Sequence, residues 1–397
     1  MTPPLPLEEA QARLLNRVEP LSSETVPIHH AVGRWLTSAV IARRTSPEAD
    51  LSAMDGYATA GPAPWRVVGE SAAGRPWLGP IGVGEAARIS TGAHLPHGAE
   101  AILPVEDAVF EGDFVTANGS GPSASYIRRA GFDFAAGETV LPPGTRIGPA
   151  QLALALAAGA GVVQAGRLPR VAIIDTGDEL APDGAQLCPG LVPATNGPML
   201  AAMCEGLAAT IARIGPVPDD RARLHAAFEE AGEADLIVTS GGASVGDHDL
   251  VRPVLETWGA DIAFWRVAIR PGKPLLVARR GTQYVIGLPG NPASAFVTAH
   301  LFVLPMLRRL AGASSDACLP SSVPAILGAA TPAGGARREF LRGQWTADGV
   351  LPLPERDSSA VRTLARANVL IDRPAMAPAA RIGDVVQVLP LFACGGA

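Results

Sequence analysis

The stretch RVAIIDTGDEL, residues 170–180, decides the fold. It opens as an unbroken aliphatic run of strand length and turns straight into a loop with glycine and carboxylates. The pattern recurs in DLIVTSGG (235–242) and in YVIGLPGN (284–291). Helical stretches, ARLHAAFEEAGE (222–233) and NPASAFVTAHLFVLPMLRRL (291–310), alternate with these runs. Strands that are apolar throughout belong to a sheet covered by helices on both faces. The residues after each strand then gather at the carboxyl edge of an open parallel sheet, where ligands bind.

Upstream, residues 1–46 read as helix, short linker, helix, with LEEAQARLLNRV (7–18) apolar at helical spacing. Between 51 and 133 the chain changes to short extended runs broken by Gly and Pro, and a helical pattern returns at 149–161. The β-rich segment therefore reads as an insertion between two helical pieces of one domain. Downstream, REFLRGQW (338–345), NVLID (368–372) and DVVQVLP (384–390) read as a small all-β tail. The expected fold is multidomain α/β and β, with a central doubly wound α/β domain. Its boundaries are 1–46 plus 137–168 for a helical linker and dimerisation domain, and 47–136 for the inserted β-rich domain. The α/β domain takes 169–312, and a β-barrel-like C-terminal domain takes 318–397.

The 397 residues, 48% of them hydrophobic, supply enough apolar material for several cores. A net charge of -6 with no block of like charges argues against a nucleic-acid or membrane-surface protein. The longest apolar run, LALALAAGAGVV (152–163), is too short to span a bilayer. The four cysteines are scattered and no secretory signal opens the chain, so reduced thiols and a cytoplasmic location are expected.

Four loops of the α/β region carry chemistry. DTGDEL (175–180) places Asp178 and Glu179 just past a strand, and TSGGASVGDHD (239–249) joins Thr239, Gly241, Gly242 and Ser244 to Asp247 and Asp249. RPGKP (270–274) carries Arg270, Gly272 and Lys273, and LPGNPAS (288–294) holds Pro289, Asn291 and Pro292, with Asn291 at an N-cap position. Lys273 is the only lysine; every other cation among the 32 Lys and Arg residues is arginine. Glycines let backbone approach an anion, helix N-termini offer free N–H groups, and a lysine is a compact charge suited to phosphate. Any one such loop is more often a plain turn; four on one sheet edge favour a site for a phosphorylated ligand.

Carboxylates among phosphate loops require a hard cation, and Mg²⁺ bound by one or two carboxylates plus phosphate oxygens meets that need. The candidates are Asp178, Glu179, Asp219, Asp220, Asp247 and Asp249, with Asp247 preferred; in VPDDRARL (217–224), Asp219 and Asp220 read rather as helix caps. In the β-rich segment, Asp55 of SAMDGYA (52–58) and Thr91 of STGAHLP (90–96) sit in turn contexts that local hydrogen bonds would explain. His94 and His97 are split by Pro96 and have no third ligand near, so they do not read as a metal site. No nucleophile elbow or Ser/His/Asp order is present.

With SAMDGYA, RISTGAHLPHGAEAILPVED (88–107), IRRAGFDF (127–134), TGDEL, DLIVTSGGASVGDHDLV, RPGKPLL and LPGNPASAF in this order, the chain resembles the molybdopterin molybdenumtransferases. These are proteins of the bacterial MoeA type, similar to the E domain of gephyrin, and the likeness runs through ARREFLRG (336–343) and LARANVLI (364–371). The resemblance implies four subdomains, an α/β domain of the molybdopterin-binding type and an elongated homodimer. It implies a reaction in which adenylylated molybdopterin and molybdate give molybdenum cofactor and AMP with Mg²⁺. Dithiolene sulfurs are soft ligands that take the metal, and the protein's share is positioning and electrostatics. By the family pattern Asp55, Glu179, Asp247 and Lys273 are the catalytic set, and Asp247 and Glu179 hold the metal. Thr91, Asp133, Pro289 and Pro292 of that pattern, with Asp178, Thr239, Gly241, Gly242, Ser244, Arg270, Gly272 and Asn291 of the loops above, are expected to bind substrate. Asp55 and Thr91 are expected to enter the cleft from a second subunit. Molybdopterin adenylyltransferase and recipient molybdoenzymes are the further partners implied.

The chain also departs from the family pattern. Asp175 stands where a serine is usual, Phe132 where an acidic residue is common, and Arg270 where a second lysine is frequent. In ERDSSAVRTLARAN (355–368), Asp357 and Arg362 intrude on a small Gly/Ser-rich anion loop. A non-catalytic molybdopterin carrier or scaffold is the alternative these departures support. The adenylyltransferase acting one step earlier is the other, and it would not need the SAMDGYA and tail domains.

Overall fold

The computed structural model describes residues 4–182, 184–241 and 250–391. Its centre is a six-stranded sheet in the order Thr210–Val217, Arg170–Thr176, Leu236–Ser240, Gln283–Leu288, Pro274–Arg280, Asp261–Arg266. The first four strands are parallel. Alternate residues of one strand feed opposite cores. Val171 and Ile173 pack with Leu200, Val238 and Phe302, whereas Ala172 and Ile174 pack with Leu224, Phe228 and Val254. Helices thus cover both faces, as the apolar runs require. Each fully buried Leu, Ile or Phe side chain there stabilises the fold by about 1.5–3 kcal/mol.

The sheet is not parallel throughout. Pro274–Arg280 and Asp261–Arg266 run antiparallel to their neighbours. The turn from Arg280 to Gln283, with Gly281 at φ 59, is too short for a crossover helix and permits only a hairpin. RPGKP thus follows Asp261–Arg266 and also opens Pro274–Arg280. Because that strand points the other way, its start still lies at the carboxyl edge of the parallel strands.

The helix after Leu288 is interrupted: Pro292–Thr298 and Leu304–Leu310 flank a π-helical segment, Ala299–Val303. Pro305 has no N–H, so the carbonyl four residues earlier, on Leu301, loses its helical donor. The Gln11 amide supplies the replacement, donating from Nε2 to Leu301 O at 3.0 Å. His300 is buried in this segment; burial and then the Arg308 charge push its imidazole from 6.5 down to about 4. Between those values the unfolded chain binds the proton and the folded chain does not. Stability therefore falls as pH drops below 6.5 and levels off near 4, at no more than about 1.4 kcal/mol per pH unit. Urea unfolding at pH 7 and pH 5 should show a smaller pH difference for His300→Gln than for the natural chain. Equal differences would remove His300 from the account.

The linker domain differs in detail from the expectation. Leu7–Arg17 is helical and buries Leu7, Ala10 and Leu14 in the α/β core. The second helix expected before residue 46 is absent. Ser23–Pro27 is a strand paired with Val162–Gly166, followed by the 3₁₀ turn Ile28–Ala31 and by Val40–Ile41, which pairs with Thr139–Leu141. Thr25, Val26 and Pro27 favour extended backbone over helix. Between these ribbons the β-rich segment forms its own six-stranded sheet.

The tail sheet runs Ile269–Arg270, Arg338–Thr346, Val369–Arg373, Val385–Pro390, Val323–Ile326, with Gly349–Pro352 added to the second of these. A bridge from Leu327 to Val350 curls it toward a barrel. One helix, Val361–Arg366, interrupts the strands, so the tail is not wholly β. Its first strand, Ile269–Arg270, is lent by the α/β domain and pairs in parallel with Arg338 and Glu339. No helix among the described residues is long and apolar enough to cross a membrane.

Candidate functional site

A cleft of about 590 Å³ lies between the carboxyl edge of the central sheet and the tail sheet. From the α/β side it is lined by Thr176, Glu179, Asp219, Gly241, the RPGKP loop, Pro289 and Asn291. After Thr176 the chain turns at Gly177, and the Glu179 carboxylate folds back so closely that a Cβ there would lie 2.4 Å from Oε2. Thr176 Oγ1 donates to Asp219 Oδ1 at 3.3 Å, and Asp219 N–H donates to Asp178 Oδ1 at 3.0 Å. Asp178 thus fastens the neighbouring loop. Asp220 caps Arg221–Glu230, accepting from Arg223 N–H at 2.9 Å, whereas Asp219, read from sequence as a cap, faces the cleft.

Gly241 lies where three loops meet, at φ 98; an added Cβ would strike Thr176 O at 2.5 Å. Thr239 is fully buried below it. Asn196 stitches two loops from beneath, with Nδ2 donating to Ser240 Oγ at 2.8 Å and Gly290 O at 2.6 Å. Gly242, Ser244, Asp247 and Asp249 lie outside the described residues. Asn291 occupies the N-cap position of Pro292–Thr298, but its side chain makes no cap bond. It donates across the cleft to Ser358 Oγ at 3.0 Å, and Ala293 N–H donates to Ser358 O at 2.9 Å. Pro292 starts that helix, half-buried behind the lining.

The tail wall joins the 355–360 loop, part of the stretch expected from sequence to be an anion loop, to Arg337, Glu339 and Arg342, to which the sequence reading gave no site role. Arg342 is buried and frames the 355–360 loop, donating to the carbonyls of Glu355 at 2.8 Å and Asp357 at 3.0 Å. Asp357 accepts from the Ser359 hydroxyl and N–H, which hold its carboxyl below the usual range. Glu339 pairs with Arg270 at 3.2 Å, and Arg337 donates to Ile269 O at 3.2 Å. The available signal was charge inside a buried strand, since Glu339 and Arg342 flank Phe340 and Leu341 in REFLRG.

Arg270, Lys273, Arg337, Arg342 and Arg356 here face the carboxylates of Glu179, Asp219, Glu339 and Asp357. Lys273 and Arg356 are the cations of this set whose side chains make no hydrogen bond or ion pair among the described residues. Gly272 holds the loop at φ 104 against Thr298, and Lys273 follows it, exposed into the cleft. Such an arrangement can bind a multiply charged anion and leave a compact charge for its oxygens.

The departures fall in different places. Asp175 is buried away from the cleft, with its Oδ2 packed 2.0 Å from where a Cβ of Gly197 would lie, at the first turn of Asn196–Cys204. Arg362 is exposed on its helix and does not line the cleft. Phe132 is 74% exposed in the β-rich segment. There too lie Asp55, Thr91 and Asp133, none of which lines this cleft. Asp55 Oδ1 accepts from Thr91 N–H at 2.6 Å and Oγ1 at 3.0 Å, a link between two loops instead of a local turn. These bonds, the backbone one foremost, hold the Asp55 carboxyl below its ordinary range. Asp133 N–H donates to Ser46 O at 3.0 Å.

Three family models match consecutive parts of the chain: the MoeA N-terminal region (domain I and II) over 5–159, a probable molybdopterin binding domain over 172–309, and the MoeA C-terminal region (domain IV) over 324–391. Molybdopterin molybdenumtransferase 2 of Mycobacterium tuberculosis is 36% identical over 385 residues, covering 92% of this chain and 95% of that one. The molybdopterin molybdenumtransferase of Haemophilus influenzae is 34% identical, covering 78% of each. The crystal structure of the molybdopterin biosynthesis moeA protein from Pyrococcus horikoshii superposes with a TM-score of 0.83 at 27% identity, over 98% of this chain and 100% of that one. The chain belongs to the MoeA family of molybdenum cofactor biosynthesis enzymes, the molybdopterin molybdenumtransferases.

Proposed function

We propose that the chain inserts molybdenum from molybdate into adenylylated molybdopterin, with Mg²⁺, and releases AMP. The observation that carries this reading is Lys273, a cation between two domains with no side-chain partner among the described residues, above glycine loops that approach without side chains. In the proposed step a molybdate oxygen takes the adenylyl phosphorus from the anhydride and leaves on AMP, while the two dithiol sulfurs replace that oxygen and a second one, which departs as water with the two thiol protons. Lys273 and Arg270 hold the oxyanion, while the Gly241 and Pro289–Asn291 backbone cradles the phosphates. A ligand with two phosphates and a tetrahedral dianion together needs this concentration of charge.

Glu179 and Asp219 both line the cleft and offer hard oxygen donors, which suits a cation that takes one or two carboxylates and otherwise phosphate oxygens. Bound there with Asp247, Mg²⁺ would neutralise charge on the anhydride. A homodimer, with Asp55, Thr91 and Asp133 of one copy serving the cleft of the other, belongs to the same proposal. So does a cytoplasmic setting, which the free thiols of Cys204 and Cys318 suit. Hand-over from molybdopterin adenylyltransferase and to recipient molybdoenzymes completes it.

Incubating the purified chain with adenylylated molybdopterin, molybdate and Mg²⁺ should release AMP in step with metal bound to the pterin. Tight pterin binding without AMP release would replace this reading with that of a carrier or scaffold.

A further inference from the structure

The geometry points to Glu339 as the positioning residue of the oxyanion subsite: it holds the Arg270 guanidinium on the tail wall, beside Lys273. This inference rests on the proposed function of the cleft. Glu339 is only 7% exposed and yet lines the cleft. A carboxylate so far out of water needs a cation, and the described structure provides Arg270 Nη1 at 3.2 Å from Oε1. The two residues are register partners across the parallel pair of Ile269–Arg270 with Arg338–Thr346, so their side chains leave adjacent points of one sheet.

Arg270 gains more from the pair than Glu339 alone would suggest. Its side chain is 56% exposed, and an arginine stem in water samples many rotamers. One N–H of the five is engaged by Glu339, which leaves the others for oxyanion oxygens. The neighbouring Arg337 also lines the cleft but is tied to a backbone carbonyl, Ile269 O, and Arg342 is occupied with loop carbonyls. Arg270 is therefore the arginine of this wall that a buried carboxylate holds while most of its N–H groups can still donate. Lys273, on the other limb of the same loop, opens the strand Pro274–Arg280 of the central sheet. The two cations consequently reach the cleft from two different sheets, and Glu339 fixes the one on the longer, looser stem.

The test uses the full chain, with molybdate itself as the probe, in calorimetric binding and steady-state insertion assays. Glu339→Gln should raise the Kd and KM for molybdate about tenfold and leave kcat at saturating molybdate within about twofold. In an Arg270→Ala background the same change should add less than about twofold. Glu339→Asp, which keeps the charge, should retain most of the binding, and it decides the matter if the Gln variant does not fold. If Glu339→Gln lowers kcat at unchanged KM, or weakens binding equally with and without Arg270, Glu339 serves the fold and the inference fails. If the natural chain binds no molybdate, the reading of the cleft falls and this inference with it.

Discussion

Lys273→Ala should lower molybdenum insertion by about 10²–10³-fold, the range for loss of one donor to a developing or transferred anion. The side chain is exposed and makes no bond to the rest of the protein among the described residues, so its removal leaves stability within about 0.5 kcal/mol. Activity and folding should separate cleanly: unchanged urea midpoint, lost insertion. Lys273→Arg keeps the charge but should still be impaired by at least about tenfold. A planar fork on a longer stem cannot occupy the position of a compact ammonium in a turn bracketed by Pro271 and Pro274. Wild-type turnover in the alanine variant would take Lys273 out of the mechanism; wild-type turnover in the arginine variant would overturn the geometric part alone.

The second large effect is expected at Gly272. Its φ of 104 is one that side-chain-bearing residues rarely adopt, and a Cβ would meet Thr298 Cγ2 at 2.5 Å. Gly272→Ala should cost about 1–3 kcal/mol of stability through backbone strain. Insertion should fall about 10–100-fold as well, because the loop must shift and Lys273 shifts with it. Thr298→Ser deletes the clashing methyl and keeps the hydroxyl, which donates to Ser294 O at 2.6 Å. Added to Gly272→Ala, it should restore part of the loss but not the share due to φ. Full restoration would show that crowding alone mattered; none at all would show that φ alone did.

Much of the fold was legible because it is local. Apolar runs such as 171–174 announce strands buried on both faces, and helical periodicity announces their cover. The hairpin at Gly281 was less visible, since an apolar run does not state its direction. The second linker helix failed for a related reason: Ile28–Ala31 looks helical, but Thr25–Pro27 commits the chain to pairing with residues more than a hundred positions away.

The candidate site divides the same way. Glu179, Gly241 and Lys273 stand at strand ends and can be read in place. The tail wall cannot, because its bonds join residues 69 apart in Arg270–Glu339 and 67 apart in Asn291–Ser358. Asn291 shows the limit well: its backbone position is that of a cap, and a distant serine takes its side chain. Asp219 and Asp220 show another limit. A helix start uses one capping carboxylate, so two adjacent aspartates cannot be assigned without seeing which one turns inward.

The strand Ile269–Arg270 ties the α/β domain to the tail sheet. The chain leaves the central sheet, contributes two residues to the tail sheet, and only then supplies Lys273. Severing the polypeptide at 313–322 would therefore not yield two complete modules. The tail would lose an edge strand and expose Arg338 and Glu339, and the α/β piece would keep a loop with one shore missing. Shuffling of either piece into another protein would carry only one wall of the cleft with it. The smallest transferable unit of this cleft is the pair of domains together with the seam between them.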